Sequence, residues 1–438
     1  MSSVVVRFSI ALWVASGLLG SAAVAGEVWV VDDDGGAGVD FADLQMAVDA
    51  AGAGDVILVQ SGDYGSLSIE GVGLTVVAEA DGVVRVAAPW TVSGIGADEQ
   101  VVLRGLELGA PLPGGVEIVA CDGDVWLEDC RLVASPSTQG SVDAVRVEQS
   151  ARVVLARCSI EAGASLTVGL FEAPADGGNA VHARDSRLAV LECDLVGGDG
   201  GHAAAESSAA GAEGGSGLRL VSSVAYVAGG SAIGGMGGQG GQVWVPPLGP
   251  FECGDGGSGG AGVRTVAATA VPFPESGSEL TLRDCATGSA AGGASPCAAP
   301  GPSGNPLSIE PGAPHQVEEL DHAARGFSVS SPVRGGTNAR LEFAGEFGDV
   351  VFALVAQGGS WLELDGQPVP LLIGDALGLL GPWTIPVAGV TVQPIPIPLQ
   401  AATFSGVTVA LQAVVVEVES GALTLAPCST LTLLHQAL

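Results

Sequence analysis

The chain has 438 residues, with 48 acidic against 15 basic and a formal net charge of −33; every basic residue is Arg. That balance excludes nucleic acid as a general partner, because phosphate binding needs net positive surface. A hydrophobic fraction of 47% excludes an intrinsically disordered chain, and the length points to two or three domains.

The first element is a processing segment. Arg7 supplies positive charge, Phe8 to Leu19 is an apolar run, and Ala23-Val24-Ala25 fits a small-residue cleavage site. The run is about 12 residues, short of the roughly 20 that span a bilayer. The expectation is a signal peptide over 1–25, cleaved between Ala25 and Gly26, and a chain that is secreted, periplasmic or held at the cell surface.

A strand over 27–31 follows, then the Asp32-Asp33-Asp34 turn and a short helix capped by Asp40 with Phe41, Leu44 and Val48 on one face. A strand over 55–59 and Gly62-Asp63-Tyr64 complete this opening. Six similar segments come next: 101–108, 125–132, 153–160, 188–195, a degenerate copy from Val224, and 280–287. Each reads as a period-2 strand, a corner and a second short strand. Leu103, Leu127, Leu155, Val190, Tyr226 and Leu282 are the aligned positions. A second set of short alternating strands begins at Gly115, Ala144, Ala180, Gly217 and Gly262. Three short strands per repeat describe one coil of a parallel β-helix, whose coils stack to share a core. Extra length enters at one corner, as loops. Residues 196–262 hold 23 Gly and only six charged residues, so these loops are flexible or polyglycine-packed rather than helical.

Cys130, Cys158, Cys193 and Cys285 share one repeat position, which predicts a buried ladder rather than disulfides. Cys121, Cys253, Cys297 and Cys428 are irregularly placed, and one bridge among them is expected. Pro296 to Pro314 reads as a linker, and the short strands from Phe327 on predict an all-β sandwich. The domains are therefore 1–25 signal peptide, 26–295 β-helix, 296–314 linker and 315–438 β-sandwich.

The string from Val39 to Gly65 closely resembles the N-terminal cap of right-handed parallel β-helix proteins of the pectin lyase-like superfamily, in which a helix plugs the open end of the coil. The resemblance covers about residues 27–290. The segments 394–398, 404–413 and 423–430 resemble a C-terminal module found on many bacterial secreted proteins. The resemblance implies an all-β chain, a right-handed parallel β-helix with a capping helix followed by a sandwich. It also implies a superfamily containing pectate lyases, polygalacturonases and pectin methylesterases, but fold alone is a weak guide to activity. The hydrolase subfamily's Asn-Thr-Asp string is absent and Gly201-His202 continues with Ala203; the calcium-dependent lyases use several acidic ligands and a Lys or Arg base, but no Lys is present and no Asp cluster recurs at coil spacing. No catalytic residue, metal or cofactor is assigned. Asp32-Asp33-Asp34 offers hard oxygen ligands, yet Asp in such a turn also satisfies backbone donors.

One constellation is sharper. Glu117, Arg146, His182, Arg219 and Arg264 fall at the same outward position on five coils, and Glu148 and Arg184 at the next. Coils about 4.8 Å apart would stack them as a column, and a row of Arg suits carboxylate or sulfate groups. Outward strand positions are polar by default, and loop carboxylates such as Asp199 or Glu213 could pair with these Arg. Arg146, His182, Arg219, Arg264 and Arg184 are the candidate binding residues for an acidic polysaccharide. The reading is a monomeric, exported structural or glycan-binding protein without catalysis or membrane span. The alternative is a lyase or hydrolase acting on an acidic polysaccharide.

Overall fold

The structure, a computed structural model, describes residues 26–438 except 110–113, 139, 167–172, 245–250, 267–277, 297, 310–315, 321–324, 363–369, 375, 400–404 and 419. The expected signal segment lies outside the described residues.

Residues 28–320 wind into a right-handed parallel β-helix with three sheets. The first contains Val28–Val31, Val56–Val59, Thr75–Ala78, Gln100–Arg104, Asp124–Glu128 and Arg152–Ala156, continuing to Gln316–Leu320. The second runs from Gly62–Tyr64 to Ala286–Gly288, and the third from Leu67–Glu70 to Leu307–Ile309. The last strand of the third sheet lies inside the segment read as a linker: Leu307–Ile309 pairs in parallel with Val263–Val266. Alternating apolar residues explain the stack. Val101, Leu103, Val125, Leu127, Val153 and Leu155 all point inward and are fully buried, so each coil supplies one layer of a continuous core. The helix Leu44–Ala50 covers the first coil with Leu44, Ala47 and Val48. Its N-cap is Asp43, whose side chain accepts from Met46 N; Asp40 instead bonds Val30 N at 2.9 Å.

The corner between first and second sheets is one residue in the left-handed region on successive coils: Gly105, Asp129, Arg157, Glu192, Gly229 and Asp284, with φ between 45° and 73°. Non-Gly residues are strained there, and stacking holds them. Asp129 N donates to Ala156 O at 3.0 Å and Arg157 N to Leu191 O at 2.8 Å. The following residue turns inward, which places Cys130, Cys158 and Cys193 in the core as free thiols. Cys285, at the same corner, is free but half-buried. Cys121 and Cys428 are free too, whereas Cys253 is disulfide-bonded to a cysteine outside the described residues. At the corner between third and first sheets Ser150, Ser186, Ser223 and Ser278 form a second buried ladder. The hydroxyl of Ser186 accepts from Ser150 N at 3.1 Å, and that of Ser223 from Ser186 N at 3.2 Å.

The degenerate copy is shifted by one residue from the sequence alignment. Val227 stands beside Val190 and Leu282, while Tyr226 stands beside Ala189 and Thr281. Tyr226 thus faces outward, edge-on to Trp361 at 5.7 Å.

At the third corner each longer loop runs out and back as two extended limbs. The outgoing limbs (197–203, 233–241, 288–294) form one layer and the returning limbs (174–178, 209–217, 254–262, 299–306) the other. Between layers, Gly198 N donates to Gly178 O, Gly215 N to Gly198 O and Gly235 N to Gly215 O, all at 2.8 Å, and Gly260 N to Gly235 O at 2.7 Å. Three residues along, Gly238 N donates to Ala212 O and Gly257 N to Gly238 O, again at 2.8 Å. Within a layer, Gly197 and Gly200 donate to Ile233 O and Met236 O. The three-residue period is that of a polyproline-II chain, which has no internal hydrogen bonds and must pair laterally when buried. Two residues of a triplet face neighbouring backbones, and most of them are Gly because there is no room for more: a Cβ on Gly215 would stand 1.8 Å from Gly178 O, although Ala212 fits three residues along. The third residue points out. The glycine-rich stretch is therefore a packed polyglycine fin on the coil.

Residues 326–434 form a two-stranded sheet, Gly359–Leu362 with Leu371–Ile373, and two larger antiparallel-rich sheets. One comprises Gly326–Val329, Asn338–Ala344 and Val390–Pro396; the other comprises Val333–Arg334, Leu423–Leu434, Gly406–Val416, Val350–Ala356 and Ala376–Thr384. Phe327, Phe343, Leu341, Val351 and Leu411 fill the space between them. This sandwich lies against the outer face of the coil's first sheet. Val102, Trp126, Val154, Ala189 and Leu191 of the coil join Leu372, Ile373, Ala410 and Cys428 in one buried cluster. That explains why whole strands such as Asp124–Glu128 are buried at every residue, as in sheets covered on both faces. Glu128, fully buried, lies 3.2 Å from Arg104 and accepts from Thr430 N at 2.8 Å. Arg157 and Arg104 also grip Asp129 at 2.8 and 2.7 Å.

Candidate functional site

With the first sheet covered, the outward faces of the second and third sheets remain for contact with other molecules. On the second, Asp63, Arg85, Glu107 and Arg131 are neighbours in register, and Arg85 lies 3.8 Å from Asp63 and 3.5 Å from Glu107. Charges of alternating sign neutralise that ladder.

The third sheet carries the column read from sequence. Glu117 stands beside Arg146, Arg146 beside His182, His182 beside Arg219, and Arg219 beside Arg264. Glu148, Arg184 and Val221 form the next row. The apolar alternation of Val145, Val147, Val181, Ala183, Leu218 and Leu220, all buried, turns the intervening residues outward.

Several members are paired. Arg146 donates to Glu148 Oε1 through Nε at 2.9 Å and Nη2 at 2.6 Å, and this bond holds the guanidinium pKa above its ordinary value. His182 Nδ1 lies 2.9 Å from Asp143 Oδ2. Asp143 Oδ1 accepts from both Asn179 N and Asn179 Nδ2, at 2.7 and 2.8 Å. Burial alone would raise the Asp143 carboxyl; the bonds from His182 and Asn179 outweigh it and hold the pKa below normal. Arg264 lies 3.6 Å from Glu213, a fin residue. Arg219 is half-buried, has no ion pair among the described residues, and its Nε is buried without a hydrogen-bond partner, as is Nε2 of His182. Arg184 is exposed.

A cavity of about 290 Å³ opens at the Glu117 end, lined by Glu117, Asp143, Arg146, Ser137 and Ser141. Asp143 and Asn179 were not singled out from the sequence. Their signal is positional: each immediately precedes the Ala that opens a repeat strand, Ala144 or Ala180. The fin edge extends the same face, where Asp176 Oδ1 accepts from Glu213 N at 3.0 Å.

Asp32, Asp33 and Asp34 each bring a carboxylate oxygen within 4.8 Å of the others. Asp32 Oδ1 accepts from Asp34 N and Asp33 Oδ2 from Asp63 N, both at 3.0 Å. These are the backbone-satisfying contacts of an acidic turn.

No protein-family model and no curated protein matches the chain. Among solved structures, it is similar to the pectate lyase Pel9A at 9% identity and a TM-score of 0.30, over 60% of this chain and 76% of that one. A rhamnogalacturonan lyase is 11% identical at a TM-score of 0.20, over 58% of this chain and 87% of that one. The enzymatically active domain of bacteriophage CBA120 tailspike protein 2 is 9% identical at 0.27, over 89% and 68%. Among the described residues, no helix is long and apolar enough to cross a membrane.

Proposed function

We propose that the protein is an exported, monomeric glycan-binding β-helix protein without catalysis, and that an acidic polysaccharide lies along the outward face of the third sheet. The observation that carries this reading is the register placing Arg146, His182, Arg219 and Arg264 side by side on consecutive coils. Strands about 4.8 Å apart match the scale of sugar units in an extended chain, and guanidinium groups offer two-pronged bonds to carboxylate or sulfate. Arg184 flanks the row. The covered first sheet and the packed fin leave this face as a long, rigid surface.

The alternative, a lyase or hydrolase on an acidic polysaccharide, draws on the cavity that Glu117 and Asp143 share with Arg146. Against it, both oxygens of Asp143 are already bonded, to His182 and Asn179, so this carboxylate is poorly placed to exchange a proton with substrate. The test is retention of the mature protein on immobilised acidic polysaccharides, compared with the triple variant Arg146→Ala, Arg219→Ala, Arg264→Ala. Wild-type retention that weakens with salt and is lost in the triple variant supports binding. Equal retention of both proteins, or none by either, removes the reading. Release of reducing ends or unsaturated uronates from the same polymers would favour the enzyme instead.

A further inference from the structure

The members of the column differ in which carboxylate already holds them. Arg146 is held by Glu148 at 2.6 Å, His182 by Asp143 at 2.9 Å and Arg264 by Glu213 at 3.6 Å. Arg219 has His182 and Arg264 as its in-register neighbours and the buried, apolar Val221 two residues on. No carboxylate occupies the register positions around it. Asp143 Oδ2 engages His182 Nδ1 at 2.9 Å, which leaves Nε2 as the ring nitrogen still to be satisfied. Nε2 of His182 and Nε of Arg219 are thus two buried, unsatisfied nitrogens on adjacent coils. Buried polar atoms in such a state call for a ligand or ordered water.

A uniformly charged polymer meets an unfavourable surface here. The chain carries −33 overall, and Glu117, Glu148, Asp143 and Glu213 line or flank the column. Each further anionic sugar would have to displace one of these carboxylates from its Arg or lie close to it. Among the described residues of this face, the Arg219 step, with exposed Arg184 one row away, offers positive charge without that exchange.

We propose that the column accepts one anionic group per chain, at Arg219 between His182 and Arg264, and so recognises a glycan whose carboxylates or sulfates are spaced by neutral sugars rather than an unbroken polyanion. This rests on the third-sheet face being the glycan-binding surface. Arg219 forks onto the oxyanion, and a neighbouring sugar hydroxyl, which can donate or accept, meets His182.

The experiment is calorimetric titration of the mature protein with three oligosaccharides of equal length: a hyaluronan fragment with one carboxylate per disaccharide, a κ-carrageenan fragment with one sulfate per disaccharide, and an oligogalacturonate charged at every sugar. One of the first two should bind one-to-one and more tightly than the oligogalacturonate, and which one it is separates carboxylate from sulfate. Arg219→Ala should weaken that binding at least about tenfold, as expected for losing a charge-assisted bond, and Arg264→Ala several-fold less. Arg131→Ala, on the second sheet, should bind as wild type. Tighter oligogalacturonate binding, weakened alike by Arg146→Ala, Arg219→Ala and Arg264→Ala, overturns the single-anion proposal and keeps the glycan-binding face. Sparse-glycan binding indifferent to Arg219→Ala, with wild-type thermal unfolding of the variant, also overturns it. Failure of all three ligands overturns both.

Discussion

Replacing Gly215 by Ala tests whether the fin is a packed solid. The new methyl carbon would stand 1.8 Å from Gly178 O and 2.5 Å from Gly178 C, both backbone atoms of the adjacent limb. Ordinary contact needs about 3.4 Å, so the limbs must part by more than 1 Å. That separation breaks or stretches the bonds from Gly215 N to Gly198 O and from Gly235 N to Gly215 O. Overpacking costs about 1–3 kcal/mol, and leaving buried backbone groups unsatisfied about 1–3 kcal/mol more, for a total of roughly 2–6 kcal/mol. With a chain of 438 residues unfolding as one unit, about 1 °C is lost per kcal/mol, and melting should fall by about 2–6 °C. If the fin unfolds alone, a separate low-temperature step should appear instead. The assay is scanning calorimetry beside Gly65→Ala, where nothing lies within 4 Å of the added carbon. A Gly215→Ala protein that melts with wild type and with Gly65→Ala would refute the packed-fin account.

Glu128→Gln should destabilise the chain by about 3–5 kcal/mol in denaturant titration, because it removes one of the two carboxylates that balance Arg104 and Arg157 inside the sandwich–coil interface and leaves a buried positive charge uncompensated. Burial pushes the Asp124 carboxyl up to about 6 from 3.8, against the opposing pull of Arg152. Between about pH 4 and 6 the folded state therefore binds more protons than the unfolded state, and this group's contribution to stability falls as pH rises through that window. The loss is roughly 2–3 kcal/mol, and Asp124→Asn should flatten that part of the stability profile. Cys130 and Cys158 lie in the core with their thiols raised, Cys130 foremost by its bond with Cys158 and Cys158 by burial. Native protein should leave both unmodified by iodoacetamide, and unfolded protein should expose both; mass mapping distinguishes the outcomes.

Much of the coil was legible because its rules are local. A Val-x-Val alternation with a fixed corner repeats once per coil, so aligning copies also aligned Arg146, His182, Arg219 and Arg264. The same procedure slipped by one at Tyr226, where Gly229-Gly230 replaces the residue-plus-Cys corner and the outward aromatic mimics an inward one. The sandwich's seat was harder to foresee. Val102, Trp126 and Val154 occupy the variable position of the repeat, and an apolar residue there has no meaning until a second surface meets it. The uninterrupted apolar runs Val101–Leu103 and Val153–Leu155 were the available sign of burial on two faces. For the site, chemistry type was readable but pairing was not. Glu148 and Glu213 reach Arg146 and Arg264 across side-chain and loop geometry that a linear pattern does not encode.

The fin also sets a unit for how this chain can change length. Each limb advances by triplets, with two small residues, mostly glycines, facing neighbours and one side chain facing out, and outgoing limbs are matched by returning ones. Inserting one residue would rotate all later positions by a third of a turn and drive side chains into backbone. Inserting a triplet into both limbs preserves every facing. Variation among relatives of this chain should accordingly come in steps of six residues per coil at this corner, while the coil strands keep fixed length: a surface that grows by whole tiles.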